Sequence, residues 1–377
     1  MIIMAFELQP LATNTPGQQS NLAIHRFGPT SGQKVYIQAG LHADEHPGLL
    51  VAQHLIERLA QLEQADQLKA HFVIVPFANP IGLKQRIFGH VNGRCDLATG
   101  QNFNRGMSIE RAQISDLTEL AFTADLQSND VLFRQWLLTQ IEQRKPSFEI
   151  AALHQALLSH SIDAHYVLDL HCDDVALPHV FYGSHQHEDG QLLAHCMSAN
   201  VALEEDVTGT VAFDGSHTQP WILMQALHSE SLFKQPCFAA TLELRGQADV
   251  SPVLADQDAE GILNFFLQKG LINNLEIDAM KEQPLKTIGV DQVKLVNATA
   301  PGIVTYNCDL GDFVKAGDVI AQIALLDQPT ATKINIAAPC DGLVFSQTQH
   351  FYANPGQTIA MLATNERQQA AGTQLAF

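Results

Sequence analysis

Up to about residue 278 the chain alternates short apolar runs with stretches of helical spacing, and this alternation restricts the fold more than any other feature. Lys34–Ala39, His71–Phe77, His165–Leu170 and Cys237–Leu244 read as strands. The first ends at Gly40 and the second at Asn79-Pro80. Gly48–Leu62 sets Leu55, Leu59 and Leu62 on one side of a helix, and Asn129–Gln143 and Ile150–Ser159 are helical as well. Short strands separated by helices predict an α/β domain with a mainly parallel or mixed sheet flanked by helices. Ligands in such sheets bind at the carboxyl ends of the strands.

Beyond residue 278 the texture changes. Gly302-Ile303-Val304, Gly311-Asp312-Phe313-Val314, Gly317-Asp318-Val319-Ile320 and Ala338–Val344 are β-branched runs cut by Gly and Asp turns. They predict a small all-β sandwich or barrel. The chain has 377 residues, more than one core usually needs, which agrees with two domains. The expected layout is a catalytic domain over 1–285, a β-rich domain over 286–365 and a polar tail over 366–377.

A formal charge of -19, from 40 acidic and 21 basic residues, argues against a nucleic-acid backbone or an anionic membrane as partner. No apolar run reaches the ~20 residues of a membrane span, and Met1–Pro16 does not read as a signal peptide, so the expected compartment is the cytoplasm. Cys95, Cys172, Cys196, Cys237, Cys308 and Cys340 are scattered without a Cys-x-x-Cys pair, so neither a thiolate metal site nor a disulfide framework is expected.

The chemistry-bearing residues stand at strand ends. His42 and Glu45 lie in Gly40-Leu-His-Ala-Asp-Glu-His-Pro-Gly48, between a strand and a helix. Three apart in one turn, both can reach one ion, and imidazole and carboxylate are ordinary zinc ligands. A third ligand is needed, with a position left for water. His171 follows another apolar strand and is the candidate; Asp169, two residues earlier on the same face, is placed to orient it. His46 is a lesser candidate because Pro47 constrains its backbone. His179, His185 and His187 read as a loop or a pocket rim.

Glu243 sits in Ala240-Thr-Leu-Glu-Leu-Arg-Gly246, at a strand's end among apolar neighbours. Beside a metal it can take a proton from water and deliver it to a leaving nitrogen. A salt bridge with Arg245 is the alternative. In Asn102-Phe-Asn-Arg105, arginine offers a fork suited to a carboxylate. Arg86 and Arg94 are both candidates to stabilise an oxyanion.

Together these segments resemble the zinc carboxypeptidase superfamily, and more closely its succinylglutamate desuccinylase/aspartoacylase branch. The resemblance rests on His42-x-x-Glu45, Asn79-Pro80-Ile81-Gly82, Asn104-Arg105 and Asp169-Leu170-His171 in that order, over roughly residues 30 to 250. Thr241-x-Glu243-Leu-Arg245 is nearer the true carboxypeptidases. The resemblance implies one zinc ion on His42, Glu45 and His171, a substrate carboxylate gripped by Asn104 and Arg105, and Glu243 as base. The family's electrophilic arginine lies between the Asn-Pro turn and the Asn-Arg pair. That interval holds both Arg86 and Arg94, with Arg86 favoured by its closeness to the turn.

Gly311-Asp-x-Val-x-x-Gly-Asp318 and Ala338-Pro-x-Asp-Gly342 resemble the lipoyl/biotinyl barrel-sandwich module. Leu325–Thr332, where its modifiable lysine belongs, has none, and Lys333 comes too late. A structural or substrate-gating cap is therefore expected, not a carrier. The implied function is zinc-dependent hydrolysis of a small N-acyl amino acid, with a peptide-cleaving metallocarboxypeptidase and a non-catalytic binding protein as rivals. Whether the chain forms a homo-oligomer is left open.

Overall fold

The structure, a computed structural model, describes residues 5–13, 15–109, 114, 117, 120–206, 212–228, 230–276, 284–328, 330 and 332–368. The end of the expected tail, 369–377, lies outside them, as do positions 329 and 331 of the Leu325–Thr332 run. In chain order the first elements are β1 (Ala5–Pro10), β2 (Asn21–Phe27), β3 (Lys34–Ala39), α1 (Pro47–Gln64), β4 (His71–Val75), α2 (Pro80–Lys84), β5 (Arg86–Ile87) and β6 (His90–Val91). There follow α3 (Leu126–Glu142), α4 (Glu149–Ser161), β7 (Tyr166–Asp173), β8 (Val175–Ala176), β9 (His179–Gly183), α5 (His187–Cys196), β10 (Val201–Glu205), α6 (Phe213–Ala226), β11 (Phe238–Gly246) and α7 (Pro252–Gln268). The strands expected at 34–39, 71–77, 165–170 and 237–244 and the helices at 48–62, 129–143 and 150–159 all form, within a few residues at their ends.

Two compact units divide the chain. The first comprises Met1–His171, Val207–Leu242 and Val250–Met280; the second comprises Cys172–Asp206, Glu243–Asp249 and Lys281–Phe377. One junction lies close to the expected boundary at 285/286, but Cys172–Asp206 and Glu243–Asp249 also join the C-terminal residues.

In the first unit the strands run in the order β1-β2-β4-β3-β7-β11. β1 and β4 flank β2 antiparallel, while β3 pairs parallel with both β4 and β7, so the sheet is mixed. Side chains alternate between faces, and the sheet is apolar on both. On one face Phe72 of β4 meets Phe266 of α7 edge-on at 5.4 Å, and α1 packs against α7. On the other, Tyr36, Val73 and Val75 join a core with Phe133 and Leu137 of α3, Leu153 and Leu157 of α4, and Trp221 of α6.

Helix α6 is unusual. Every residue from Phe213 to Trp221 is buried, including Asp214, Ser216, His217, Thr218 and Gln219, and Pro220 lies inside it. His217 is wholly enclosed, its Nδ1 2.7 Å from the Phe213 carbonyl and its Nε2 2.8 Å from the Ser161 hydroxyl. Burial pushes its imidazole down to about 4. The unfolded chain titrates this ring near ~6.5 and so binds the extra proton between those values. Stability contributed by neutral His217 is therefore present above pH 6.5 and lost as pH falls toward 4. We expect the unfolding free energy to drop between pH 7 and 5 by about 2 kcal/mol more in the native sequence than in His217→Gln. Parallel pH profiles from denaturant titrations of the two proteins would rule this out.

In the second unit β9, β10 and β12 (Lys286–Gly289) form a parallel ladder. The expected all-β region is β13 (Val293–Asn297), β14 (Gly302–Tyr306), β15 (Phe313–Val314), β16 (Val319–Ala324), β17 (Lys333–Ala337), β18 (Gly342–Gln347), β19 (Tyr352–Ala353) and β20 (Thr358–Ala363). These strands make two sheets, β13-β20-β18-β15 and β17-β16-β14-β19, around Val304, Ile320, Ile323, Val344 and Leu362. The Gly-Asp pairs are turn devices: Asp312 and Asp318 accept the backbone N–H groups of Asp309 and Lys315 at 2.9 and 2.8 Å. Lys333 opens β17 with its Nζ 3.4 Å from Gln322 Oε1. The acids that follow His171 in sequence are fastened to this region, Asp173 accepting from the Ser346 hydroxyl at 2.7 Å and Asp174 from Thr348 at 2.9 Å. Among the described residues no helix is long and apolar enough to cross a membrane.

Candidate metal centre

The site is built at the carboxyl ends of β3 and β7. Gly40 ends β3 with φ of +68°, a left-handed value natural for glycine, and turns the chain into the His42–Glu45 loop. Two contacts fix that loop. Asn79 donates from Nδ2 to the Leu41 carbonyl at 2.9 Å while its Oδ1 accepts the Gly82 N–H at 2.8 Å, so the Asn-Pro turn caps α2 and tethers the loop together. Gly93 lies against the loop backbone, its carbonyl accepting the Ala43 N–H at 3.1 Å. A Cβ there would stand 2.4 Å from the Asp44 nitrogen, which leaves room only for glycine.

His171 arrives from β7. The parallel register sets Gln38 opposite Asp169, and the two-residue period brings His171 onto the same face. One ligand atom each from His42, Glu45 and His171 lie within 4.8 Å of one another, and all three residues are buried. The Glu45 carboxylate faces both rings: Oε1 is 2.9 Å from His42 Nδ1 and Oε2 is 2.8 Å from His171 Nδ1. The far nitrogens face oxygen too, His42 Nε2 lying 2.9 Å from Asn102 Oδ1 and His171 Nε2 2.9 Å from Asp169 Oδ2.

This arrangement tests the fit of a divalent cation. If each ring donates outward from Nε2, its Nδ1 presents a bare lone pair to a carboxylate oxygen, and something positive must stand between them. A proton does so on one ring at a time; an ion on both Nδ1 atoms and the carboxylate satisfies all three at once. Electrostatics agree. Burial alone would push the Glu45 carboxyl up, but the charges and hydrogen bonds of His171 and His42 hold it well below the usual carboxylate range. Burial opposes a charge on His171, yet Asp169 and Glu45 together hold its ring well above the ordinary histidine value.

A model of the succinylglutamate desuccinylase/aspartoacylase catalytic domain matches residues 31–268. The chain belongs to this family. The match includes His42, Glu45, Asn104, Arg105, His171 and Glu243 and stops short of β12. An N-alpha-acetyl-L-2,4-diaminobutyric acid deacetylase of Halomonas elongata is 25% identical over 343 residues, 89% of this chain and 82% of the relative. A structure from Shewanella amazonensis assigned to the family has a TM-score of 0.82 at 24% identity and covers 96% of this chain and 99% of that one. One from Shewanella frigidimarina has 0.83 at 23%, covering 97% and 98%. Both show the same fold, including the C-terminal β sheets.

The remaining expected residues of this desuccinylase/aspartoacylase chain are placed as follows. Arg94 brings Nη1 to 3.4 Å from Glu45 Oε1, with its side chain 48% exposed. Arg86 is on the exposed β5–β6 hairpin, its Nη1 3.3 Å from the Gly89 carbonyl. Asn104 is buried and its Oδ1 accepts the Phe213 N–H at 2.7 Å, capping the start of α6. Arg105 is half-buried, with Nη1 donating to the Asn104 carbonyl at 2.7 Å. Glu243 is half-buried on β11, two residues beyond Thr241 and on its face. Arg245, two further, takes a φ of +63°, rare for a residue with a side chain. His46 is exposed at the cap of α1 and is not part of the ligand group. His179 is buried against Phe345 in the second unit, its Nδ1 on the Leu177 carbonyl, while His187 pairs with Glu204 at 2.5 Å.

Sequence reasoning missed three residues around the ligands. Asn102 holds the outer nitrogen of His42, and the loop that carries it is pinned by His154, whose Nε2–H donates to the Phe103 carbonyl at 2.7 Å. Gln38 donates to Asp169 Oδ1 at 3.0 Å. Asp214, in the first turn of α6, is buried beside Asp169; burial, with the charge of Asp169, pushes its carboxyl up against hydrogen bonds from Gly215 and Thr241. Gln38 had a readable signal, a polar side chain inside an otherwise apolar strand.

Proposed function

We propose that this chain is a zinc-dependent deacylase that hydrolyses the amide bond of a small N-acyl amino acid in the cytoplasm, giving a carboxylic acid and a free amine. The observation that carries the reading is the convergence of His42 Nδ1, His171 Nδ1 and the Glu45 carboxylate within a desuccinylase/aspartoacylase fold. Zinc suits two imidazoles and one carboxylate, and when bound it would acidify water and polarise the acyl carbonyl.

The chain's own groups do the rest. Asn102 and Asp169 hold the outer nitrogens of the ligand histidines and keep both rings aimed inward. Glu243 accepts a proton from the attacking water and returns it to the departing amine. Arg94, already at the edge of the ligand group, is better placed than Arg86 to stabilise the developing oxyanion. Arg105 pairs with the substrate carboxylate, and Asn104 holds the segment that presents it to the start of α6.

The test is a panel of N-acetyl and N-succinyl amino acids, N-acetyl-diaminobutyrate and dipeptides, assayed on the zinc-loaded full chain. We expect kcat/KM for the best N-acyl amino acid to exceed that for any dipeptide by about 10²-fold or more, a gap of roughly 3 kcal/mol in transition-state binding. The opposite order would assign a peptidase. No turnover of either class by a zinc-loaded protein would favour a binding role.

A further inference from the structure

The hydrogen bonds around His171 do not stop at Asp169. Gln38, opposite Asp169 in the parallel register, gives Nε2 to Asp169 Oδ1 at 3.0 Å. Tyr36, two residues earlier on the same face of β3, gives its hydroxyl to Gln38 Oε1 at 2.9 Å. Tyr36, Gln38 and Asp169 have no solvent exposure at all. A phenol, an amide and a carboxylate are thus threaded through the sheet's interior to a ring nitrogen of a ligand histidine.

The chain has a direction. An amide can be reversed end for end, and reversal here would set the Gln38 oxygen against the Asp169 carboxylate, acceptor against acceptor. Asp169, which only accepts, holds the amide the other way, and the Tyr36 hydroxyl donates to the Oε1 so presented. Nε2 then donates to Asp169, which fixes that carboxylate as acceptor with Oδ2 turned to His171 Nε2. With Asp169 as its acceptor, Nε2 is the nitrogen that keeps a proton, and Nδ1, 2.8 Å from Glu45 Oε2, is the one left to meet a cation.

We propose that Tyr36 and Gln38 are positioning residues for the metal centre, setting through Asp169 the tautomer and ring orientation of His171. The inference rests on the reading of His171 as a ligand. It assigns a purpose to two polar side chains buried in strand β3, where burial of unused polar groups is costly. The packing of Tyr36 is separable from its hydrogen bond, because the ring stands against Phe213 at 6.0 Å and Tyr36→Phe keeps that contact.

The experiment measures zinc affinity by competition with a chromophoric chelator in the full chain, for the native sequence, Tyr36→Phe, Gln38→Leu and the double variant, with metal-free thermal unfolding alongside. Loss of an outer partner of a metal-bound histidine typically weakens the metal ten- to a hundredfold. Gln38→Leu should lie near the lower end, about tenfold, and Tyr36→Phe should cost about threefold. Because Tyr36 acts through Gln38, Tyr36→Phe should add nothing once Gln38 is Leu. Unchanged zinc affinity with a lowered unfolding temperature would make the network merely structural and overturn the proposal. Independent, multiplying effects would break the relay. If Gln38→Leu does not fold, Tyr36→Phe alone decides. A native protein that binds no zinc would sink the metal reading itself, a result distinct from variants that bind as the native protein does.

Discussion

Replacing His171 with Ala is expected to leave the purified chain without stoichiometric zinc and to lower turnover by about 10³-fold or more. The variant removes an Nδ1 that lies 2.8 Å from Glu45 Oε2 and leaves His42 and Glu45 as two protein ligands. Two are too few for a catalytic zinc site, which uses three protein ligands and an open position. The same change frees Asp169, a wholly buried carboxylate, of the ring it meets at 2.9 Å, so some loss of stability will accompany the loss of metal. Metal analysis after exhaustive dialysis separates the two effects, since a folded variant by circular dichroism with empty metal content is the expected outcome. A folded variant that retains one zinc per chain would show that the ion, if any, sits elsewhere.

The second large effect is expected at Glu243. Glu243→Gln keeps the shape of the side chain and removes the capacity to carry a proton. General acid–base groups contribute typically 10²- to 10⁴-fold, and a residue that both accepts and returns the proton should stand in the upper part of that range. We expect kcat to fall by about 10³-fold while zinc content and KM change little, the pattern of an interaction used in the transition state. The competing role, a half-buried salt bridge with Arg245, predicts the reverse: a drop in unfolding temperature with kcat intact. Measuring both quantities on one preparation decides between them.

How much of this was legible in the sequence varies along the chain. Strands β3, β4, β7 and β11 are short apolar runs with clear stops, and they carry or border His42, Glu45, His171 and Glu243. Gly40 and Asn79-Pro80 mark the ends of β3 and β4 because turns there need a left-handed residue or a capped helix start. The Gly-Asp turns of the β region were legible for the same local reason. Helix α6 was not. It is buried around most of its circumference, carries Pro220 within it, and so lacks the apolar stripe that reveals a surface helix. Strands β1 and β2 at the sheet's edge gave no bounded apolar run, since Phe6 and Leu8 are exposed.

At the site, the candidate ligand trio could be read because His42 and Glu45 follow β3 and His171 stands near the end of β7, and strand ends converge in an α/β sheet. Asp169 could be read as well, two residues before His171 on the same face, but the partners that Asn102 and Gln38 find could not. Asn102 reaches His42 from a loop sixty residues away, and Gln38 meets Asp169 through a pairing of two strands far apart in sequence. Arg86 stands on the exposed β5–β6 hairpin, while Gly93, next to Arg94, is joined to the His42 loop through the Ala43 N–H. Neither fact is written in residue spacing.

The most direct test of the account is X-ray absorption spectroscopy at the zinc edge on the loaded full chain. It should show nitrogen and oxygen scatterers at ~2.0–2.1 Å, with the multiple scattering of two imidazoles and no sulfur near ~2.3 Å. A sulfur shell, or a spectrum lacking imidazole, would contradict a centre made of His42, Glu45 and His171.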